Sequence, residues 1–138
     1  SLANALTLFD NVELYFVSPD KLKMPQEILL DLDKVGMNYT EVSNISEIID
    51  KVNVLYVTRI QKERFADIDD YLEIKGAYII NKKMLEDKDL IVMHPLPRID
   101  EIDTDVDDTR YNKYFTQAFN AVPVRMAILK TLIKNNPK

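Results

Sequence analysis

The chain has 138 residues, of which 46% are hydrophobic and 30% charged, and its net charge at pH 7 is −5. This composition is typical of a soluble globular domain, and the negative charge argues against a general nucleic-acid binder, because phosphate contacts dominate such affinity. The absence of cysteine excludes disulfides, thiolate metal sites and a cysteine nucleophile, and two glycines are too few for a phosphate-cradling loop. No apolar stretch approaches the roughly 18 residues of a membrane-spanning helix, so we expect no membrane partner.

The first residues predict a helix that starts without a leading loop. Leu2, Ala5, Leu6 and Phe9 share one helical face. The sequence opens with neither an initiator methionine nor the pattern of a signal peptide, in which a basic segment precedes an apolar one. We therefore expect a cytoplasmic protein and a sequence that begins partway through a longer chain.

Strand and helix patterns alternate along the rest of the chain. Short apolar runs predict strands at 12–17, 39–42, 52–57, 77–80 and 90–93. Apolar residues at helical spacing predict helices at 24–35, 47–51, 82–86 and 114–133. Gly36 is expected to end the first of these helices, and Ser46 to cap the second. The highly charged segment 61–75 predicts a helix-and-loop excursion.

This alternation predicts an α/β protein: a three-layer α/β/α sandwich with a mainly parallel, Rossmann-like sheet, formed by a single domain over residues 1–138. In parallel sheets, ligands bind beyond the carboxyl ends of the strands. Two polar motifs occupy such positions, Thr58-Arg59-Ile60-Gln61 and His94-Pro95-Leu96-Pro97. The predicted topology therefore indicates these two segments as the candidate site.

Arg59 follows an apolar strand, where its guanidinium can present parallel donors to a carboxylate or phosphate. The alternative is a surface arginine paired with Glu63 one helical turn on, and Glu63 can also orient an arginine that binds ligand. Gln61 offers both a donor and an acceptor, although a solvated glutamine is its ordinary interpretation.

His94 is the only histidine, and it can be a general base, a metal ligand or a core side chain. No cysteine or second histidine completes a zinc site, which favours a structural role. Pro95 and Pro97 lack N–H groups, so their turn exposes carbonyls suited to the amino or amide groups of a ligand. The alternative is simply a stiff strand exit, and an X–Pro bond also permits a cis peptide there.

The acidic run at 100–108 places Asp103, Asp105 and Asp107 at odd loop positions, which invites a calcium interpretation. The glycine and the terminal glutamate of an EF-hand are missing, and helix capping at 105–108 explains the aspartates more simply. We expect no metal site and no cofactor.

Two segments, VLYVTRIQKER at 54–64 and VMHPLPRIDEIDTDVD at 92–107, closely resemble the aspartate-domain motifs of the aspartate carbamoyltransferases. The resemblance covers essentially the whole chain and includes the segment YFTQA at 114–118. In the ornithine carbamoyltransferases a cysteine usually stands at the place of Pro95, and TRIQKER is absent. Within the last helix, Phe119, Ala121 and Pro123 depart from the family pattern.

The resemblance implies transfer of the carbamoyl group of carbamoyl phosphate to the amino group of L-aspartate, an early step of pyrimidine synthesis. It implies that Arg59 grips a carboxylate of aspartate with help from Gln61. Backbone groups would hold the carbamoyl group and the attacking amine; these belong to Pro95, Leu96 and Pro97, with the Leu96–Pro97 bond cis. Thr58, Glu63 and His94 would hold these binding groups in position without contacting the substrate themselves. Segment 62–75 would be a mobile loop that closes over substrate.

The family completes its active site with parts that this sequence lacks. These are an N-terminal carbamoyl-phosphate domain and residues of a neighbouring subunit, so we expect a homotrimer, with regulatory chains as further candidate partners, and no transfer activity from this chain alone. The alternatives are a non-catalytic assembly or binding module and a related carbamoyltransferase with another amino-acid acceptor. The presence of Arg59, Gln61 and His94-Pro95-Leu96-Pro97 favours the enzyme.

Overall fold

The computed structural model describes residues 1–60, 65, 69, 72 and 78–135. Their contacts divide the chain into two compact units, residues 1–51 and 52–138. Predictions for Gln61, Glu63 and Ala77, and for most of the 62–75 segment, lie outside the described residues.

The first unit is built around one parallel strand pair. Helix α1 spans Leu2–Leu6, strand β1 Glu13–Val17, helix α2 Gln26–Lys34 and strand β2 Asn38–Val42. The register runs from Glu13 opposite Asn38 to Val17 opposite Val42. Because parallel strands need a long crossover, α2 connects them, and it buries Leu29 and Leu32 on one face.

Gly36 ends α2 as predicted. Its φ is +69°, and its N–H donates to the carbonyl of Asp33 at 3.0 Å, while the Met37 N–H donates to that of Leu32 at 3.0 Å. This pair of bonds is a Schellman motif, which satisfies carbonyls that the last helical turn leaves without intrahelical partners.

The predicted helix at 47–51 is wrong in extent and in its cap. A 3₁₀ turn spans Ile45–Glu47 instead, and Asn44 caps it. The Asn44 side chain accepts the Ser46 N–H at 3.0 Å, and Glu47 accepts the Asn44 N–H at 3.1 Å. This reciprocal capping box lets an asparagine two residues earlier take the role expected of Ser46.

The second unit contains strand β3, Val54–Tyr56, helix α3, Lys82–Leu85, strand β4, Ile91–Met93, and helix α4, Tyr114–Asn135. β3 and β4 pair in parallel, Val54 opposite Ile91 and Tyr56 opposite Met93. On the other edge of β4, Val92 donates to the Tyr111 carbonyl at 2.8 Å and accepts from the Lys113 N–H at 3.0 Å. β4 is thus flanked on both sides.

The strand predicted at 77–80 is reduced, in the described part of the chain, to a single parallel bridge between Ile80 and Ile102. The buried hydrophobic residues of this unit include Leu55, Ile80, Leu85, Leu90, Val92, Ile102, Val106, Tyr111 and Tyr114. Helix α4 continues through Pro123, although proline removes one helical hydrogen bond.

The predicted α/β class with parallel strands is confirmed in both units. In the part of the chain that the structure describes, no helix combines the length and apolarity that crossing a bilayer demands.

A three-residue cluster fastens the segment after β4 to the start of α4. The Arg98 guanidinium makes a two-pronged ion pair with Asp107, one contact measuring 2.6 Å, and the Tyr114 hydroxyl also donates to Asp107. Arg98 lowers the pKa of the Asp107 carboxyl. Burial, together with the bond to Asp107, raises the pKa of Tyr114 to about 12, so the phenol keeps its proton.

Replacing Asp107 by Asn is expected to lower stability at neutral pH by about 1–3 kcal/mol, because hydrogen bonds to a charged group are lost. Since the folded-state pKa of Asp107 lies below its unfolded value, its stabilisation is present above the ordinary carboxyl range near pH ~4 and disappears as pH falls through the folded pKa. Denaturant unfolding across this range should therefore show wild type and Asp107→Asn converging in acid. Asp108→Asn, at the exposed neighbouring position, is the control. A difference in unfolding free energy between wild type and Asp107→Asn that persists in acid would contradict the assignment.

Replacing Gly36 by Ala is expected to destabilise the chain by about 1 kcal/mol, because a Cβ disfavours positive φ. Outside the local backbone, an added Cβ would meet no atom within 4 Å, so the cost comes from the positive φ rather than from a clash with another part of the fold. Gly36→Asn should cost less, since asparagine tolerates this conformation. Equal unfolding midpoints for the two variants would argue against this explanation.

Candidate functional site

The two predicted motifs leave the same edge of one sheet. Tyr56 and Met93 are register partners at the ends of β3 and β4, and the Val57 N–H donates to the Met93 carbonyl at 2.8 Å. Thr58 and Arg59 follow this last bond, and both are exposed. Adjacent strands lie about 4.8 Å apart, so the chain after β3 and the chain after β4 start side by side.

The segment after β4 makes an unusual turn. The Leu96–Pro97 bond is cis, as the resemblance implies, and Leu96 has a φ of +52°. Positive φ costs a non-glycine residue about 1–2 kcal/mol. Pro95 and Pro97 are exposed and Leu96 is half-buried, so the turn lies at the surface.

His94 lies beneath the turn and is 1% exposed. Its Nδ1 accepts the Leu96 N–H at 2.8 Å, and its Nε2 lies 2.7 Å from Oε1 of Glu101. A ring nitrogen that accepts a hydrogen bond carries no proton, so Nε2 carries the proton and donates it to Glu101. With both nitrogens engaged and buried, this geometry favours a structural role for His94 over that of a general base or metal ligand.

Glu101 completes the support of the turn. Its Oε2 accepts the N–H groups of Ile99 and Asp100, each at 3.1 Å, while Oε1 faces His94. Burial raises the pKa of Glu101, but backbone N–H donors and His94 outweigh burial and hold that pKa below its ordinary value. The group is therefore a carboxylate at neutral pH.

Gln117 of α4 links both strand exits. Its Oε1 accepts the His94 N–H at 2.9 Å, and its Nε2 donates to the Tyr56 hydroxyl at 3.4 Å. Sequence reasoning assigned no role to Gln117 or Glu101. The signal available in the sequence was the position of Glu101 within the acidic run 100–108, directly before the apolar Ile102.

The turn offers acceptors and Arg59 offers a cation. Among the described residues, no hydrogen bond reaches the carbonyl oxygens of Pro95, Leu96 or Pro97. Such oxygens suit amine or amide donors of a ligand, whereas a guanidinium suits a carboxylate or phosphate. An amino acid carries both kinds of group.

The aspartates of the acidic run serve the fold. Asp103 caps the 3₁₀ turn Thr104–Val106 by accepting the Asp105 N–H at 3.1 Å, which moves the cap upstream of the predicted 105–108. Asp105 accepts the Lys82 N–H at 2.9 Å, and Asp107 pairs with Arg98. Within the described residues, no three acidic or histidine groups converge as a metal site would need.

Comparisons with known proteins identify the family. The sequence profile "Aspartate/ornithine carbamoyltransferase, Asp/Orn binding domain" matches residues 1–132. The chain is 78% identical over 138 residues to the aspartate carbamoyltransferase catalytic subunit of Methanobrevibacter smithii, and 53% identical over 136 residues to that of Methanocaldococcus jannaschii. All of this chain aligns with the first relative and 99% with the second, but it spans only 44% of the length of each.

Solved structures of the family share the fold. The catalytic subunit of M. jannaschii aspartate transcarbamoylase superposes with a TM-score of 0.90 at 53% identity, over 99% of this chain and 44% of that one. The Trypanosoma cruzi enzyme in complex with carbamoyl aspartate and phosphate gives 0.79 at 36% identity, over 94% of this chain and 44% of that one. The chain therefore belongs to the aspartate/ornithine carbamoyltransferase family, whose Asp/Orn-binding domain it matches over nearly its whole length.

Proposed function

We propose that this chain is the L-aspartate-binding part of an aspartate carbamoyltransferase, which transfers the carbamoyl group of carbamoyl phosphate to L-aspartate in pyrimidine synthesis. The observation that carries the proposal is the parallel pairing of β3 with β4. This pairing places the segment after β3, which contains Arg59, beside the segment after β4, which contains the Pro95-Leu96-Pro97 turn. A cation and carbonyl acceptors therefore follow neighbouring strand ends.

Each proposed group has a distinct task. Arg59 binds a carboxylate of aspartate with Gln61 assisting, and the carbonyls of the turn hold the amine and the carbamoyl group. The amine nitrogen bonds to the carbamoyl carbon, the bond from that carbon to the phosphate oxygen breaks, phosphate leaves, and the amine loses a proton. Such a transfer needs alignment and charge stabilisation rather than a protein nucleophile.

Helix α4 supports the further proposal of an N-terminal carbamoyl-phosphate domain as partner. Six apolar residues at heptad-like spacing form a stripe along this helix, and each of them is at least half exposed: Phe115, Phe119, Val122, Met126, Leu129 and Ile133. Such a stripe is ordinarily covered by packing. Relatives contain more than twice the length of this chain, which is enough for a second domain. The proposed enzyme is a cytoplasmic homotrimer of catalytic chains, with regulatory chains as further candidate partners.

The enzymatic proposal is testable by grafting this chain into the M. smithii subunit in place of the aligned segment, and assaying transfer from radiolabelled carbamoyl phosphate. Arg59→Ala should raise the aspartate KM at least about tenfold, because a charge-assisted contact is lost. Arg59→Lys should restore only part of the lost affinity for aspartate, since lysine lacks the planar guanidinium. Lys83→Ala, an exposed cation on α3, is the control.

The remaining outcomes separate the alternatives. A graft that transfers to ornithine but not aspartate would support another acceptor. One that neither turns over nor binds N-phosphonacetyl-L-aspartate would support a non-catalytic module. The 138-residue chain alone should show no turnover, and real turnover would contradict the need for a second domain.

The partner-domain proposal predicts opposite behaviour in two settings. Phe119→Gln with Met126→Gln should change the stability of the 138-residue chain little, because exposed substitutions usually lie within about 0.5 kcal/mol. In the graft the same change should cost at least about 2 kcal/mol, because buried apolar side chains each contribute about 1.5–3 kcal/mol. Thermal unfolding of both forms, with Lys130→Gln as control, measures this; an unaffected graft would contradict the covered stripe.

A further inference from the structure

The turn at 95–97 contains one backbone N–H, because two of its three residues are prolines. That N–H belongs to Leu96, and it is taken up by Nδ1 of His94 at 2.8 Å. Every backbone donor of the turn is thereby removed, and what remains toward a ligand is carbonyl oxygen only. The turn therefore lacks a free backbone donor because of one buried side chain, His94, as well as the two prolines.

The direction of the Leu96–His94 bond depends on the imidazole tautomer. Nδ1 accepts only when the ring proton sits on Nε2, and the opposite tautomer would set an Nδ1–H against the Leu96 N–H. Glu101 selects between them, since its Oε1 lies 2.7 Å from Nε2 and a carboxylate can only accept. Its Oε2 is held by the Ile99 and Asp100 N–H groups, so the carboxylate cannot turn away without losing both.

We propose that His94 is a positioning residue for carbamoyl transfer: Glu101 fixes its tautomer, and its Nδ1 in turn fixes the Leu96 peptide, so that the turn presents carbonyls alone to the attacking amine. This inference rests on the proposed function. It assigns Glu101 a role through His94, and it explains why a buried histidine rather than an apolar side chain lies under the turn. Neither residue contacts the substrate.

A pair of substitutions separates positioning from mere space filling. Asn at 94 keeps an acceptor that reaches an N–H two residues on, as in Asx turns, but loses the bond to Glu101. Gln at 94 can still donate to Glu101 from Nε2, but it has no acceptor at the place of Nδ1. Gln also fills the histidine space better than Asn, so a purely structural role ranks the two in the opposite order.

The kinetic test uses the full-length graft. His94→Gln should lower kcat/KM for aspartate by about ten- to a hundredfold, chiefly through kcat, because a misplaced carbonyl misaligns the amine. His94→Asn should lower it by less than about threefold, since the Leu96 N–H keeps its acceptor. Equal losses, or a larger loss with Asn, would overturn the proposal.

A spectroscopic measurement reads the tautomer directly on the unaltered graft. With ¹⁵N-labelled histidine, the signal of His94 should show an unprotonated Nδ1 and a protonated Nε2, and its absence from the His94→Asn spectrum assigns it. Glu101→Gln should shift the signal toward the other tautomer, because an amide cannot accept both from Nε2 and from the two backbone N–H groups. A proton on Nδ1 in the unaltered graft would overturn the proposal.

These results are distinguishable from a failure of the proposed function. A graft without transfer to aspartate refutes the function, whatever the tautomer. An active graft whose His94 signal or variant ranking is the reverse of that expected refutes the positioning role alone.

Discussion

The parallel pairing of β3 with β4 is the constraint on which the candidate site depends. Register alone brings Tyr56 beside Met93, and the Val57 N–H extends the pairing one bond past β3. Beyond that bond the backbone is no longer paired within the sheet, and the segment that begins with Thr58 and Arg59 leaves the strand there. Both strand exits are then tied to α4 through Gln117, so helix and sheet define the site together.

In the acidic segment after the turn, each of four carboxylates accepts hydrogen bonds from nearby groups. Glu101 accepts from the histidine and two backbone amides, and Asp107 accepts from Arg98 and Tyr114. Asp103 and Asp105 satisfy backbone N–H groups at the ends of short helical turns. Buried or half-buried carboxylates are stable only with such partners. A sequence with net charge −5 therefore builds an ordered loop from residues that would otherwise repel one another.

Local patterns predicted much of the fold, and long-range contacts account for what they missed. Apolar runs identified β1 to β4 and helical spacing identified α2, α3 and α4, because periodicity depends on neighbouring residues. Asn44 rather than Ser46 caps its turn, since either side chain fits the pattern and only geometry selects one. Among the described residues of the strand expected at 77–80, only Ile80 forms a bridge, and its partner Ile102 is too distant in the sequence for a local window to reveal.

The donor-free turn also bears on how its importance can be detected. Under the proposed function, recognition by main-chain oxygens would give the Leu96 side chain no chemical part in ligand contact, and truncating it to alanine would retain every carbonyl. Mutational scans of side chains would score such a position as tolerant. The residues that would report on it are the prolines and the buried histidine, which shape the backbone without offering the recognised atoms. In the proposed site, tolerance to substitution and functional weight would therefore be separate properties at this strand exit.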